Sequence, residues 1–144
     1  MELDELYQDL ILDHFKHPRN FRPLSDVEVL VDEENPTCGD HIRLTAKVEQ
    51  GKIVDVKFDG KGCAISTASA SMMSEKLIGM PVVDARQLIG NFVALIRGEK
   101  EMDADTLGEL AALEGVKQYP MRVKCATMSW HAAEKALDKI AGNK

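Results

Sequence analysis

The chain has 144 residues, a formal net charge of −6, and a composition that is 44% hydrophobic and 29% charged. This length fits one domain that can bury a core without metal or disulfide bonds, and the negative charge argues against binding to nucleic acid or to an anionic membrane surface. No apolar run reaches the roughly 18 residues of a membrane-spanning helix, and the acidic N-terminal segment is unlike a secretory signal. We therefore expect a cytoplasmic protein whose three cysteines are reduced.

The first half of the chain predicts one helix, a loop and three strands. Apolar residues at helical spacing predict the helix, and Pro18 ends it. Strict alternation from Ile42 onward predicts a hairpin, with the apolar side chains of its second strand at Val54, Val56 and Phe58. The expected bounds are helix 3–17, loop 18–26, a first strand at 27–33 and the hairpin strands at 42–49 and 54–58.

The second half of the chain predicts helices alone, the first of them rich in Ser and Ala and therefore suited to close packing. Their expected bounds are 65–78, 82–97, 105–113 and, after Pro120 has opened the last helical region, 126–141. We interpret three histidines that lie on or beside helices in either half of the chain as surface or packing residues, namely His14, His17 and His131. We interpret Met72, Met73 and Met128 as core residues and not as a copper site. The fold class follows as α+β, with a three-stranded antiparallel sheet and helices packed on one face.

Each of the three cysteines is expected where an element begins or ends. Cys38 follows a run of turn-forming residues, Cys63 joins a strand to a helix, and Cys125 lies just before or within the first turn of the last helix. Loops and helix N-termini expose thiols and stabilise thiolates, which indicates a metal site or a reactive cysteine. Three unrelated buried cysteines remain an alternative, because no two of them form a CxxC pair.

Three thiolates leave a tetrahedral zinc ion one ligand short, and Asp40 is the candidate for the fourth. Asp40 follows Cys38 by two residues, and Gly39 between them allows the loop to curl so that both side chains face one ion. His41 competes as a ligand, but its parity, opposite to that of Ile42, places it on the polar face of the strand. The predicted zinc ligands are Cys38, Asp40, Cys63 and Cys125.

A site of three thiolates and one carboxylate is expected to be exchangeable at one corner, because a carboxylate is a harder ligand for zinc than a thiolate. Arg122 and Lys124, next to Cys125, are candidates for offsetting its negative charge. A thiolate released from such a site is a nucleophile that can accept sulfane sulfur from a persulfide.

The three cysteine segments together resemble the IscU/NifU-like family, and its SufU branch most closely. The segments are NPTCGD at 35–40, GKGCAIS at 60–66 and RVKCAT at 122–127, and the resemblance covers nearly the whole chain, including YQDLILDHFKHPRN at 7–20. Between Cys38 and Cys63 lie 24 residues and between Cys63 and Cys125 lie 61, so a SufU-type insertion is expected within about 80–115 of a single domain, 1–144. Lys124 stands where IscU-type proteins have histidine, which favours zinc over a stable cluster.

The resemblance implies a zinc-dependent sulfurtransferase of iron–sulfur cluster biogenesis. Its partners would be a pyridoxal-phosphate-dependent cysteine desulfurase of the SufS type, which it would activate, and downstream a Suf scaffold or apo iron–sulfur proteins. Cys38 would be the sulfur acceptor, while Asp40, Cys63 and Cys125 keep the metal. Two alternatives use the same residues: a scaffold on which [2Fe–2S] clusters are assembled and transferred, and a purely structural zinc module.

Overall fold

The computed structural model describes residues 5–36 and 38–142, without the side chains of residues 5–7. In this part of the chain a helix precedes three strands, and further helices follow them. The elements are α1 (Glu5–Lys16), β1 (Val31–Asn35), β2 (Asp40–Glu49), β3 (Lys52–Lys61), α2 (Ala64–Leu77), α3 (Val82–Ile96), α4 (Ala104–Leu107), a 3₁₀-helix (Gly108–Gln118) and α5 (Pro120–Ile140). The predicted start of the first helix, at residue 3, lies outside the described residues.

The strands form one antiparallel sheet in the order β1-β2-β3, which confirms the predicted fold class. Along β2 the side chains of Asp40, Ile42 and Leu44 are buried, whereas those of His41 and Arg43 lie on the other, partly exposed face. Helix α5 packs against β1 and β2, and α2 packs against β3. The alternation in the sequence thus directs Asp40 towards the helices.

A layer of helices around Trp130 forms the core behind this sheet. The indole of Trp130 stacks on Phe92 of α3 with ring centroids 4.2 Å apart, and its Nε1–H donates to Ser69 Oγ of α2 at 3.0 Å. Ser69 Oγ in turn donates to the carbonyl of Ala126 in α5 at 2.6 Å. As predicted for a helix of small residues, α2 approaches its neighbours closely, and Met73 is fully buried in the core.

The first strand begins four residues later than predicted, at Val31. The apolar residue Val27 is 96% exposed, because the preceding chain forms a turn in which the N–H of Glu28 donates to Ser25 O. An ion pair of Glu28 with Arg22, 2.6 Å apart, fixes this turn. Valine content alone therefore misplaced the strand.

The third strand departs from the predicted alternation at Val54, which is 42% exposed, while Ile53 is buried. The cause is an irregularity in the pairing of β2 with β3 between Lys47 and Val48. Such a bulge inserts one residue and reverses which side chains face the core.

The predicted short helix 105–113 is a four-residue α-helix followed by a 3₁₀-helix. Gly108 separates the two with a φ of 55°, a left-handed conformation that glycine adopts without strain. None of the described helices is both long and apolar enough to cross a membrane.

Candidate metal centre

The four predicted ligands meet at the end of the sheet that faces the N-terminus of α2. Cys38 Sγ lies 3.9 Å from Cys125 Sγ, and Cys63 Sγ lies 4.0 Å from Asp40 Oδ2. The ligand atoms of Cys38, Asp40 and Cys125 are all within 4.8 Å of one another. With zinc–sulfur bonds of about 2.3 Å, tetrahedral geometry places ligand atoms about 3.8 Å apart. The spacings of Cys38, Asp40 and Cys125 are compatible with one ion, whereas Cys63 lies at the edge of this group and would have to approach it to become the fourth ligand.

Cys38 is the exposed member of this group. It lies in the loop between β1 and β2, where the N–H groups of Cys38 and Gly39 both donate to Asn35 O, at 3.3 and 2.8 Å. Gly39 has a φ of 78°, which is the left-handed conformation that the sequence predicts for a tight loop here. A short turn, outside any helix or strand, therefore presents the Cys38 thiol to solvent.

Asp40 is the first residue of β2 and is only 3% exposed. Its Oδ1 accepts the backbone N–H of Cys63 at 3.1 Å, which leaves Oδ2 directed towards the thiols. Among the described residues, no Lys, Arg or His forms an ion pair with this carboxylate. Since a buried charge needs a partner or a metal ion, Asp40 fits the role of a ligand.

Cys63 occupies the junction of β3 with α2, as predicted, and serves as the N-cap of the helix. Its Sγ accepts the N–H of Ser66 at 3.4 Å, which is how an oxygen of Ser or Asp caps most helices. The preceding Gly62 has no room for a side chain, since a Cβ would lie 2.1 Å from Ser66 Oγ. Sequence analysis missed the Ser66 hydroxyl, which donates to Cys63 O at 3.1 Å; no sequence signal marked that contact.

Cys125 differs from its predicted place at the start of the last helix. Helix α5 begins at Pro120, which suits the first position of a helix because it lacks an N–H, so Cys125 lies in the second turn. The residue is 1% exposed. This burial is the main cause that raises the pKa of Cys125 well above its ordinary value, and the neighbouring Asp40 carboxylate and Cys63 raise it further. A cation among these groups would reverse that effect, because metal-bound thiols are deprotonated.

The neighbouring charged residues lie around this group of ligands. His41 binds Asp32 on the far face of the sheet, as its parity predicts, and is not part of the group. Arg122 lines a groove that also contains Cys63, whereas Lys124 lines a different groove on the other side of α5. The groove of Lys124 also contains Asn35 and Pro36, which precede Cys38, so each cation lies on one side of the centre.

A model of the NifU-like N-terminal domain family matches residues 6–139. The chain belongs to this family. A Bacillus subtilis protein named zinc-dependent sulfurtransferase SufU is 46% identical to this chain over 140 residues. The alignment covers 97% of this chain and 95% of that relative. The chain is 41% identical to the iron–sulfur cluster assembly scaffold protein IscU of Streptococcus pyogenes, over 97% of this chain and 87% of the relative.

The family's fold is also found in solved structures similar to this one. A putative iron–sulfur cluster assembly scaffold protein for the SUF system, from Fervidobacterium islandicum, superposes with a TM-score of 0.81 at 37% identity, covering 90% of this chain and 94% of that one. These relatives confirm the predicted resemblance, and they place the chain in a family of iron–sulfur cluster assembly proteins.

Proposed function

We propose that this protein accepts persulfide sulfur on Cys38 from a pyridoxal-phosphate-dependent cysteine desulfurase, in a zinc-dependent step of iron–sulfur cluster biogenesis. The observation that carries the proposal is the asymmetry of the centre: Asp40 and Cys125 are buried and Cys63 is half-buried, while the Cys38 thiol is exposed. The similarity to a protein named zinc-dependent sulfurtransferase supports it further.

The chemistry of the donor set, three thiols and one carboxylate, suits zinc, and the proximity of Cys38, Asp40 and Cys125, with Cys63 Sγ 4.0 Å from Asp40 Oδ2, supports this proposal. Cys38, Asp40, Cys63 and Cys125 would hold the ion, which when bound would keep the thiols as thiolates at neutral pH. Asp40 is fixed for this role by the N–H of Cys63.

The sulfur transfer itself requires one exposed thiolate and no oxidant. The Cys38 thiolate attacks the outer sulfur of the partner's persulfide, the sulfur–sulfur bond of that persulfide breaks, and the partner's cysteine leaves as a thiolate. Cys38 then carries the persulfide, with its proton retained on the outer sulfur. Cys63 and Cys125, each held in or at a helix, stay in place during this exchange.

A test of the acceptor uses Cys38→Ser beside the control His41→Ala, which alters a half-buried residue on the opposite face of β2. With a SufS-type desulfurase and cysteine, the wild type and His41→Ala are expected to stimulate turnover and to gain one sulfur by mass spectrometry. Cys38→Ser is expected to do neither. Full sulfur uptake by Cys38→Ser, or mapping of the added sulfur to Cys125, would show that the acceptor is another residue.

A second candidate function is assembly of [2Fe–2S] clusters, favoured by the 41% identity to a protein named IscU scaffold and by the same cysteine ligands. Lys124 argues against it. Anaerobic purification with metal analysis separates the two: about one zinc per chain and no colour supports sulfur transfer. Brown protein with cysteine-ligated iron that activates an apo-ferredoxin supports the scaffold.

We also propose that residues 1–144 act as one cytoplasmic domain that passes sulfur to a Suf scaffold or to apo iron–sulfur proteins. The segment 80–115, where the SufU-type insertion is expected, contains α3 and α4. Because Phe92 of α3 stacks on Trp130, deletion of this segment is expected to unfold the domain, whereas a dispensable appendage would leave its near-ultraviolet circular dichroism unchanged.

A further inference from the structure

A second group of metal-binding side chains lies where α1, α2 and the 3₁₀-helix meet. His14 of α1 is fully buried, and its Nε2 lies 3.1 Å from Glu109 Oε1 of the 3₁₀-helix and 3.9 Å from Glu75 Oε1 of α2. The three ligand atoms all lie within 4.8 Å of one another. One imidazole and two carboxylates from three separate elements thus converge on one point.

The second nitrogen of His14 is held in the way that metal-binding histidines require. His14 Nδ1 lies 2.7 Å from Ser71 Oγ, and this hydroxyl also accepts the backbone N–H of Arg19 at 2.8 Å. A hydroxyl has two acceptor sites, so it can accept Nδ1–H as well and leave the Nε2 lone pair facing the two carboxylates. Such an outer hydrogen bond fixes the tautomer and ring orientation of a ligating histidine.

The group is accessible to an ion from solvent. Its carboxylates are partly exposed, the side chain of Glu75 by 46% and that of Glu109 by 59%, and both line a groove of about 390 Å³ that also contains Lys76. Their two negative charges match a divalent cation. Arg19 is close enough to interact electrostatically with Glu75 and Glu109, but its hydrogen-bonded partner is Asp13, at 2.7 Å.

We infer that His14, Glu75 and Glu109 form a second divalent-metal site, which goes beyond the proposed sulfur transfer. Mixed imidazole and carboxylate ligands suit first-row transition ions such as Mn²⁺, Fe²⁺ and Zn²⁺ rather than Ca²⁺. The site is separate from the cysteine centre, because Ser71 follows Cys63 by eight residues, roughly 12 Å along a helix axis. An ion there would link α1 to α2 and to the 3₁₀-helix.

Titration of the zinc-loaded protein with Mn²⁺, followed by the electron paramagnetic resonance of free Mn²⁺, tests this site. Mn²⁺ binds more weakly than zinc in the first-row series and leaves zinc on the thiolates. We expect one Mn²⁺ per chain. The double variant that carries both Glu75→Gln and Glu109→Gln, called the paired variant, should bind Mn²⁺ at least about tenfold more weakly. Even the loss of a residue that only holds a metal ligand in place lowers metal affinity by about 10- to 100-fold. Glu114→Gln, the same change on the same 3₁₀-helix, should bind as the wild type does.

A second measurement identifies the ligand in the unaltered protein. Bound Mn²⁺ is expected to broaden the imidazole nuclear magnetic resonance signals of His14 before those of His131, with near-ultraviolet circular dichroism confirming that every variant is folded. The inference is overturned if no Mn²⁺ binds to the zinc-loaded protein, if Glu114→Gln loses as much affinity as the paired variant, or if the His14 signals stay sharp. In those cases His14 and Glu109 form a hydrogen-bonded pair alone.

Discussion

Gly62 lies directly before Cys63, at a position where the fold leaves no space for a side chain. A Cβ on this residue would lie 2.1 Å from Ser66 Oγ and 3.3 Å from both Ser66 Cβ and Asp40 Oδ1. Both neighbours contact Cys63, so Gly62→Ala is expected to disturb the metal centre while all four candidate ligands remain in the chain.

The cost of this substitution can be worked from the contacts of Ser66. To reach an ordinary contact distance its Oγ must move by about 1 Å or more, which breaks its 3.1 Å hydrogen bond to Cys63 O, a loss of about 0.5–1.5 kcal/mol. The remaining close contacts add about 1–3 kcal/mol, as overpacking does in other cores. We therefore expect Gly62→Ala to lower the free energy of unfolding by about 1.5–4.5 kcal/mol.

Ser66→Ala allows this reasoning to be checked by a double-mutant cycle. Alone it should cost about 1 kcal/mol for the lost hydrogen bond, but combined with Gly62→Ala it removes the 2.1 Å contact. The double variant should therefore be more stable than the sum of the single effects by about 1 kcal/mol or more. Urea unfolding followed by Trp130 fluorescence measures all four proteins, and competition with a chelator measures their zinc affinity.

Gly90→Ala is the matched control, because a Cβ at this position in α3 meets nothing within 4 Å. It should stabilise the protein by about 0.5–1 kcal/mol, the ordinary difference between glycine and alanine in a helix. Unchanged stability and zinc affinity in Gly62→Ala, or strictly additive effects in the cycle, would refute the argument from crowding.

Three further predictions concern stability. Ser129 Oγ is buried with no hydrogen-bond partner among the described residues, so Ser129→Ala should be neutral or stabilising in urea unfolding. Ser69→Ala loses hydrogen bonds to Ala126 O and Trp130 Nε1 and should cost about 1–3 kcal/mol. Equal effects of the two substitutions would contradict this reasoning. The guanidinium of Arg43, and to a lesser degree the N–H of Leu24, lower the pKa of Asp59. The ionised Asp59 therefore stabilises the fold above the ordinary aspartate pKa, and this contribution is lost as the pH falls through the lower pKa of the folded state. Asp59→Asn should make the free energy of unfolding less dependent on pH in this acid range. Chelation of zinc should lower the melting temperature but leave a cooperative transition and the far-ultraviolet circular dichroism intact, because the hydrophobic core does not include the metal centre. Loss of the fold on chelation would instead favour a structural zinc module.

The sequence predicted best those elements whose patterns are set locally. The alternation from Ile42 located β2, and the bounds of α2 and α3 were correct to within one residue. The first strand and the exposed Val54 were misjudged, because they depend on the Arg22–Glu28 ion pair and on a bulge within the β2–β3 hairpin, neither of which alters the periodicity of apolar residues. Local periodicity carries no record of such contacts.

The candidate centre was predicted from three motifs and not from geometry. Spacing in the chain left open whether Cys38, Cys63 and Cys125 meet at all, and only their resemblance to a family joined them. Pro120 was a usable signal that would have placed Cys125 inside the last helix. The group around His14 had no such signal, because Glu75 and Glu109 reach it only through the packing of three helices.

The way each candidate ligand is anchored indicates where the centre opens. Cys125 lies within a 21-residue helix, and Cys63 is bound to both Asp40 and the first turn of α2. Displacing either would disrupt a helix or a buried hydrogen bond. Among the described residues, the backbone hydrogen bonds that hold the Cys38 turn are those to the carbonyl of Asn35, which contribute about 1 kcal/mol each. Under the proposed function, release of Cys38 would therefore be the least costly way to free a thiolate, since it would leave the core and the other three side chains in place.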